Sequence, residues 1–262
     1  MAYNPSNLSV TKKYFSEDVC RNCGADLTGN YCIQCGQSKV KRITYKFILD
    51  EIWQALRWFE MELVQAAYKL LTKPGLVARE YVMGMRKKHQ HPLKLLLVAL
   101  GILMLVIDKA NYIHSADTAT NRVIELVKEY GKWSFSLGII AITVGTLTVF
   151  WKRLRYNFTE HLVLATYCHF VIIALNILNL LPNLFINDAQ WQLWHKHYSQ
   201  IYMDIVDVVI LAIAFTQFFF LRLRTEWWKL LIALVLYISI KRGLIYLYAW
   251  LLVKLIMNQI IK

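Results

Sequence analysis

Four of the chain's five cysteines fall between positions 20 and 37, in the stretch CRNCGADLTGNYCIQCGQ. Cys20 and Cys23 make one C-x2-C knuckle, and Cys32 and Cys35 make a second after eight intervening residues. A knuckle turns the backbone so that two thiolates face one ion. Gly24 and Gly36 each follow a second cysteine and permit the positive φ that such a turn uses. Four thiolates in tetrahedral array fit Zn2+. With every position filled by protein, none stays open for water or substrate, so the expected zinc is structural and not catalytic. Two disulfides and a redox dithiol are the rival readings. A reducing cytosol disfavours the first. Nothing around the motif resembles the βαβ unit that accompanies the second. Cys168 lies in a long apolar run and reads as a packing residue.

The knuckles stand ahead of a very apolar sequence. Of the 262 residues, 57% are hydrophobic and 14% aromatic, where soluble domains hold about 45–50% apolar residues. Pro5, Pro74, Pro92 and Pro182 all lie outside the long apolar runs or at their ends. Those runs cover about Pro92 to Ile107, Trp133 to Phe150, His161 to Leu181, Ile201 to Leu221, and Trp228 towards Met257. A spanning helix needs about 20 apolar residues. The expected fold is an all-α integral membrane protein of about five transmembrane helices, range roughly four to six, with a small N-terminal four-cysteine zinc ribbon. The fifth run is long, and Gly243 could divide it in two. Residues 1–19 read as a polar lead, 20–37 as the ribbon, 38–91 as a cytosolic amphipathic helical collar and 92–262 as the transmembrane domain. In the collar, apolar residues recur at helical spacing from Ile43 to Leu71, and a second short helix is expected from Leu76 to about Met85.

The formal charge is +13. Arg86, Lys87, Lys88 and Lys94 cluster at the first run, Lys152, Arg153 and Arg155 follow the second, and Arg222, Arg224 and Lys229 follow the fourth. The loops between are charge-balanced. Residues 108–132 hold four basic and four acidic groups, and NRVIELVKEY within them reads as an amphipathic helix on the outer side. Such alternation suits a cytosolic N-terminus. The first nineteen residues are polar and lack the apolar core of a signal peptide, which suits it too. A multi-pass protein of the bacterial inner (plasma) membrane is expected, in contact with membrane lipid. No internal repeat is evident.

Ionisable residues inside spans are functional candidates by default. Asp204 and Asp207 lie one turn apart in the fourth run, and Lys241 and Arg242 lie in the fifth. At 1.5 Å per residue, Asp207 and Lys241 both fall roughly 20 Å from the inner boundary, so they can meet. Asn176 and Asn179 of the third run reach similar depth. These six could clamp two helices or line a pore. If the fifth run ended near Ile240, Lys241 and Arg242 would be an ordinary basic flank. His161 and His169 do not make a persuasive metal set, and His195 and His197 read as solvated groups of an outer loop.

In the collar, Lys39, Lys41, Arg42 and Lys46, then Arg79, Arg86, Lys87 and Lys88, form a basic set near Tyr31, Tyr45 and Tyr81. Anionic headgroups would attract it. A nucleotide or oligonucleotide is the sharper alternative, with phosphates on the cations and bases stacked on the aromatics. Asp50, Glu51, Glu60 and Glu62 argue against simple adsorption to anionic lipid and add weight to packing against a sister subunit.

The ribbon, then KRITYKFILDEIWQALRW, then LLTKPGLVAREYVMGMRKKHQHPLKLLL resemble a bacterial family of uncharacterised proteins. Its members pair an N-terminal zinc ribbon with several membrane spans. Pro74, Gly75, Arg79, Glu80, Tyr81, Gly84, Arg86 and Pro92 match that family's block leading into the first span. The resemblance covers roughly residues 20–100. It implies the zinc ribbon and the multi-pass domain and carries no biochemical role.

No H-E-x-x-H, phosphate loop or G-x-S-x-G motif is present, and there is no positive case for an enzyme. The most concrete expectation is a homo-oligomeric ion channel. A cytosolic ligand or partner would gate it through the ribbon and collar. By architectural analogy it could be an antiphage-defence effector answering an oligonucleotide signal. A non-conducting adaptor whose ribbon recruits a cytosolic protein is the competing class, and a transporter is third.

Overall fold

The computed structural model describes residues 18–40, 43–44, 63–109, 136–186 and 188–260. Among these the chain is helical apart from the ribbon and the connections. In order, the helices are α1 (Leu63–Thr72), α2 (Pro74–Val82), α3 (Pro92–Lys109), α4 (Leu137–Phe150), α5 (Phe158–Leu180), α6 (Ala189–Phe219) and α7 (Leu223–Ile260). The stretch NRVIELVKEY and the collar residues 45–62 lie outside the described residues. Ile43 and Thr44 are not helical, so the amphipathic helix expected from Ile43 is corrected at that end. Ile43 is instead a fully buried core residue, and its carbonyl accepts a hydrogen bond from Asn157 Nδ2 at 3.1 Å.

Local chemistry explains several helix ends. Pro74 and Pro92 open α2 and α3, where a missing N–H is harmless. Asn157 and Glu160 form a reciprocal capping box at the start of α5, satisfying two otherwise orphaned donors. Asp188 accepts from the amides of Gln190 and Trp191 at the start of α6. Inside α4, the hydroxyls of Thr143, Thr146 and Thr148 donate to carbonyls one turn back, each at 2.8 Å. They leave no polar demand on an apolar surrounding.

Helices α3, α5, α6 and α7 belong to segments long and apolar enough to cross a membrane. Helix α4 is apolar but has only 14 residues, about 21 Å of rise. Two expectations change. His195 and His197 do not lie in a loop. A short 3-10 turn at Leu181–Leu184 leads into α6, which begins at Ala189. The fifth run is one unbroken helix of 38 residues. Gly243 does not divide it, because an isolated glycine costs a helix only about 1 kcal/mol. Lys241 and Arg242 therefore sit inside α7, not beyond its end.

The bundle core joins α5 to α3 and α4, and α4 to α7. The short helix α2 packs against both α5 and α6. Its Val77, Ala78, Tyr81 and Val82 are buried. The collar is thus wedged into the bundle at this point.

Candidate functional site

The two knuckles share one hydrogen-bond pattern displaced by twelve residues. The amides of Cys20, Gly24 and Leu27 donate to Ala25, Cys20 and Asp18, and those of Cys32, Gly36 and Lys39 donate to Gln37, Cys32 and Asn30. This is a local duplication that residue identities conceal, since only the cysteines and glycines match. Gly24 and Gly36 adopt the expected positive φ, 80° and 68°. The four Sγ atoms lie within 4.8 Å of one another and could hold a metal ion. Cys20 and Cys35 approach to 3.6 Å, and Cys23 and Cys32 to 3.5 Å. A disulfide needs about 2.05 Å, whereas a tetrahedral thiolate site with bonds near 2.3 Å puts sulfurs about 3.8 Å apart. The donor set thus fits a closed tetrathiolate, and all four cysteines are unbridged.

The ribbon is docked on the turn ahead of α3. Gln37, the residue after the second knuckle's glycine, donates from Nε2 to Gly84 O at 2.7 Å. Its Oε1 accepts from the Lys87 amide at 3.2 Å. Lys87 Nζ donates to the carbonyl of Cys35, itself a proposed ligand. Gly84 has φ 106°, and a Cβ there would press on Arg21 and Val40 at 3.0 Å. The contact carries the metal unit within a few residues of Pro92. Gln37 is polar and unremarkable in sequence, and only its place after the knuckle hints at this role.

The basic candidates of the collar divide. Arg79 is completely buried. Its Nη1 donates to Tyr156 Oη at 2.6 Å and to Phe218 O at 3.2 Å, and its guanidinium lies over the Phe220 ring. It is a core clamp and not a ligand contact, because every face of the group meets protein. Burial pushes the Tyr156 phenol above its ordinary range. Arg153 completes the corner, donating from Nε to Phe219 O at 2.7 Å and from Nη2 to Phe220 O at 2.8 Å. Two arginines thus satisfy the carbonyls orphaned at the C-terminus of α6, where the helix dipole favours cations. Lys39 pairs with Asp18. Arg86 lies over the Tyr81 ring, and Lys88 pairs with Glu80 at 2.8 Å. Lys41, Arg42 and Lys46 lie outside the described residues.

Glu80 also accepts from His89 Nε2 at 2.6 Å. That hydrogen bond, with Lys88 beside it, holds the Glu80 carboxyl at about 2, below its ordinary 4.5. A depressed carboxyl stabilises the fold above its unfolded pKa, and the contribution disappears as pH falls through the folded value. The stability gap between the native protein and Glu80→Gln, read by thermal unfolding, should be constant above pH 4.5 and vanish as pH falls to about 2.

Within two helices long and apolar enough to cross a membrane, α6 and α7 bring acids and bases together. Lys241 Nζ lies 2.8 Å from Asp207 Oδ2 and 3.2 Å from Asp204 Oδ1. Arg242 Nη2 lies 3.7 Å from Asp204 Oδ2. Tyr237, one turn before Lys241, donates to Asp207 Oδ2 at 3.2 Å. It is absent from the sequence-derived set, although its i,i+4 spacing to Lys241 was a readable signal. The asparagines part company with this cluster. Asn176 donates to Ile172 O in its own helix. Asn179 joins a second polar cluster, accepting from Tyr202 Oη and lying 3.2 Å from His195 Nε2. Asn183 closes it, 3.1 Å from His195 Nδ1, and accepts from Trp191 Nε1 at 3.1 Å. His195 is therefore buried and bonded, not solvated, because α6 starts early enough to turn it inward. Of the side chain of His197 nothing is described. His161 and His169 are buried in α5, and His161 Nδ1 meets Thr146 Oγ1 at 3.0 Å.

No curated protein and no solved structure matches the chain. The ribbon falls outside the stretch that matches a family, whereas Gly75, Arg79 and Gly84 fall inside it. Over residues 60–104, from α1 into α3, the chain matches a family described as protein of unknown function (DUF3667).

Proposed function

We propose that the protein is a homo-oligomeric ion channel of the bacterial inner membrane, with a zinc ribbon in the cytosol. The observation that carries this reading is the exposure of charge on the apolar helices α6 and α7. Arg242 and Asp204 are 73% and 41% exposed at the side chain. Val235, Ile245 and Tyr246 of the same helix α7 are exposed too. A charged pair facing hydrocarbon is costly, so such groups face a polar path or another subunit. A pore formed between copies meets both conditions.

The ribbon metal is assigned to zinc on its four thiolates. A ligand or protein bound there would act through Gln37 and Lys87 on the turn that feeds α3. Arg79, Lys87 and Lys88 are already engaged within the chain, which favours a protein partner over an oligonucleotide for the described part of the collar. An antiphage effector is one role such a channel would fill.

Purified protein in planar bilayers should conduct. Arg242→Ala should change unitary conductance or ion preference by severalfold. Silence at all voltages, together with a monomer in detergent, would overturn the proposal. A second reading, a membrane adaptor, draws on Tyr31 and Ile33, apolar side chains exposed on the second knuckle. The same recording separates the two, since an adaptor is silent while its ribbon still binds a partner.

A further inference from the structure

The two intramembrane acids differ sharply. Asp204 is half-exposed, whereas the side chain of Asp207 is only 4% exposed. Asp207 Oδ2 takes both available donors, Tyr237 Oη and Lys241 Nζ. Asp207 Oδ1 is buried and has no hydrogen-bond partner. An ionised carboxylate normally fills such lone pairs, and leaving one empty in an apolar interior is expensive.

The surroundings limit what could occupy that oxygen. Asp204 faces Asp207 from its own helix, and Tyr237, Lys241 and Arg242 face the pair from α7. From α5, Cys168 lies near enough to act on Tyr237. Helix α4, which packs on α7, has no titratable residue. Helix α2 meets α6 at its other end, near Ala214 and Gln217. Two acids and two bases balance, so the cluster is neutral when all four are ionised. A metal cation would meet two fixed positive charges and needs several oxygen ligands. Among the described residues, only the cysteines gather three or more metal-binding groups. A proton needs just one free lone pair.

We propose that Asp207 is a proton-exchange site within the membrane, reached from water past Asp204 and held in register by Lys241 and Tyr237. A hydronium ion transfers its proton to Asp207 Oδ1 and leaves as water. The cluster passes from neutral to one net positive charge, and the attraction between Asp207 and Lys241 is lost. Lys241 is then held by Asp204 alone. Proton arrival thereby loosens the contact between α6 and α7. The inference rests on the ion-path reading of this cluster and names the proton as the ion that the site binds.

Dicyclohexylcarbodiimide tests it, because this apolar reagent attacks protonated carboxyls in membranes and requires no conductance. Intact protein in detergent or lipid vesicles is labelled across pH 5 to 9, and the modified residue is located by mass spectrometry. Asp207 should label, with a rate that falls about tenfold per pH unit above its midpoint, as for one titrating group. Asp207→Asn should abolish the label and Asp204→Asn should retain it. Tyr237→Phe removes a single donor with little change in volume, and should move the midpoint to higher pH. Absent or pH-independent labelling of Asp207 in folded protein would overturn the proposal. So would protection by sodium at fixed pH, which would assign the site to a metal cation. A silent bilayer with normal labelling would remove the channel and leave the proton site standing.

Discussion

Replacing Gly75 with alanine should destabilise the bundle by about 3 kcal/mol or more, at the upper end of overpacking costs. A Cβ on Gly75 would stand 2.0 Å from the carbonyl oxygen of Ala214 and 2.8 Å from Gln217 Cβ. The first of these is backbone within the last two turns of α6 and cannot swing away. Helix α2 would have to retreat. Its first amides, Gly75 and Leu76, would then lose Gln217 Oε1, now at 3.1 and 3.2 Å. Those amides are among the donors that a helix N-terminus leaves orphaned. The retreat would also draw Arg79 away from Tyr156 and Phe218, leaving buried polar groups short of partners. Thermal unfolding in detergent and size-exclusion profiles measure the effect. An alanine variant that melts with the wild type would mean that α2 does not pack on α6. Gly101, near which a Cβ would meet nothing, is the matched control and should tolerate alanine.

Stripping a metal bound by the ribbon cysteines should have the second large effect, confined to the N-terminal unit and the turn it docks on. Structural zinc contributes about 10–16 kcal/mol of apparent folding free energy in small finger peptides, and a ribbon this small has no core to replace it. Loss of the tetrathiolate would free Gln37 from Gly84 and Lys87. Tryptic cleavage after Arg86, Lys87 and Lys88 should rise at least tenfold, while the helical circular dichroism of the bundle persists. Cys35→Ser should reproduce the result. Gln37→Ala should expose the same turn with the metal still bound, which separates docking from metal binding. Elemental analysis should find one zinc per chain, falling to none in the Cys35→Ser protein. Protease resistance unchanged by chelation would exclude this coupling between ribbon and bundle.

The features readable from sequence share a short range. The knuckles, their glycines and the apolar runs are local patterns. The depths of Asp207 and Lys241 follow from a constant rise per residue along two helices, and the two groups do meet, at 2.8 Å. The block shared with the resembled family was also visible, but not its purpose. In the structure Pro74 starts α2, Gly75 admits α6, Arg79 closes the end of α6, Glu80 holds His89 and Lys88, and Gly84 receives Gln37.

What the sequence by itself determined, then, is the helical membrane architecture, the four-cysteine unit and the level at which charge enters the bundle. Only the tertiary structure decided which cations are free to meet a ligand. Arg79 reads as a surface base and is a fully buried clamp. His195 reads as a loop residue and is held between Asn179 and Asn183. The reason is physical. A buried polar group takes whichever partner the packing brings near, and here that partner is 47 residues away for Gln37 and 142 for Gly75. Periodicity reports which face of a helix is apolar. It does not report which distant carbonyl will sit in front of that face.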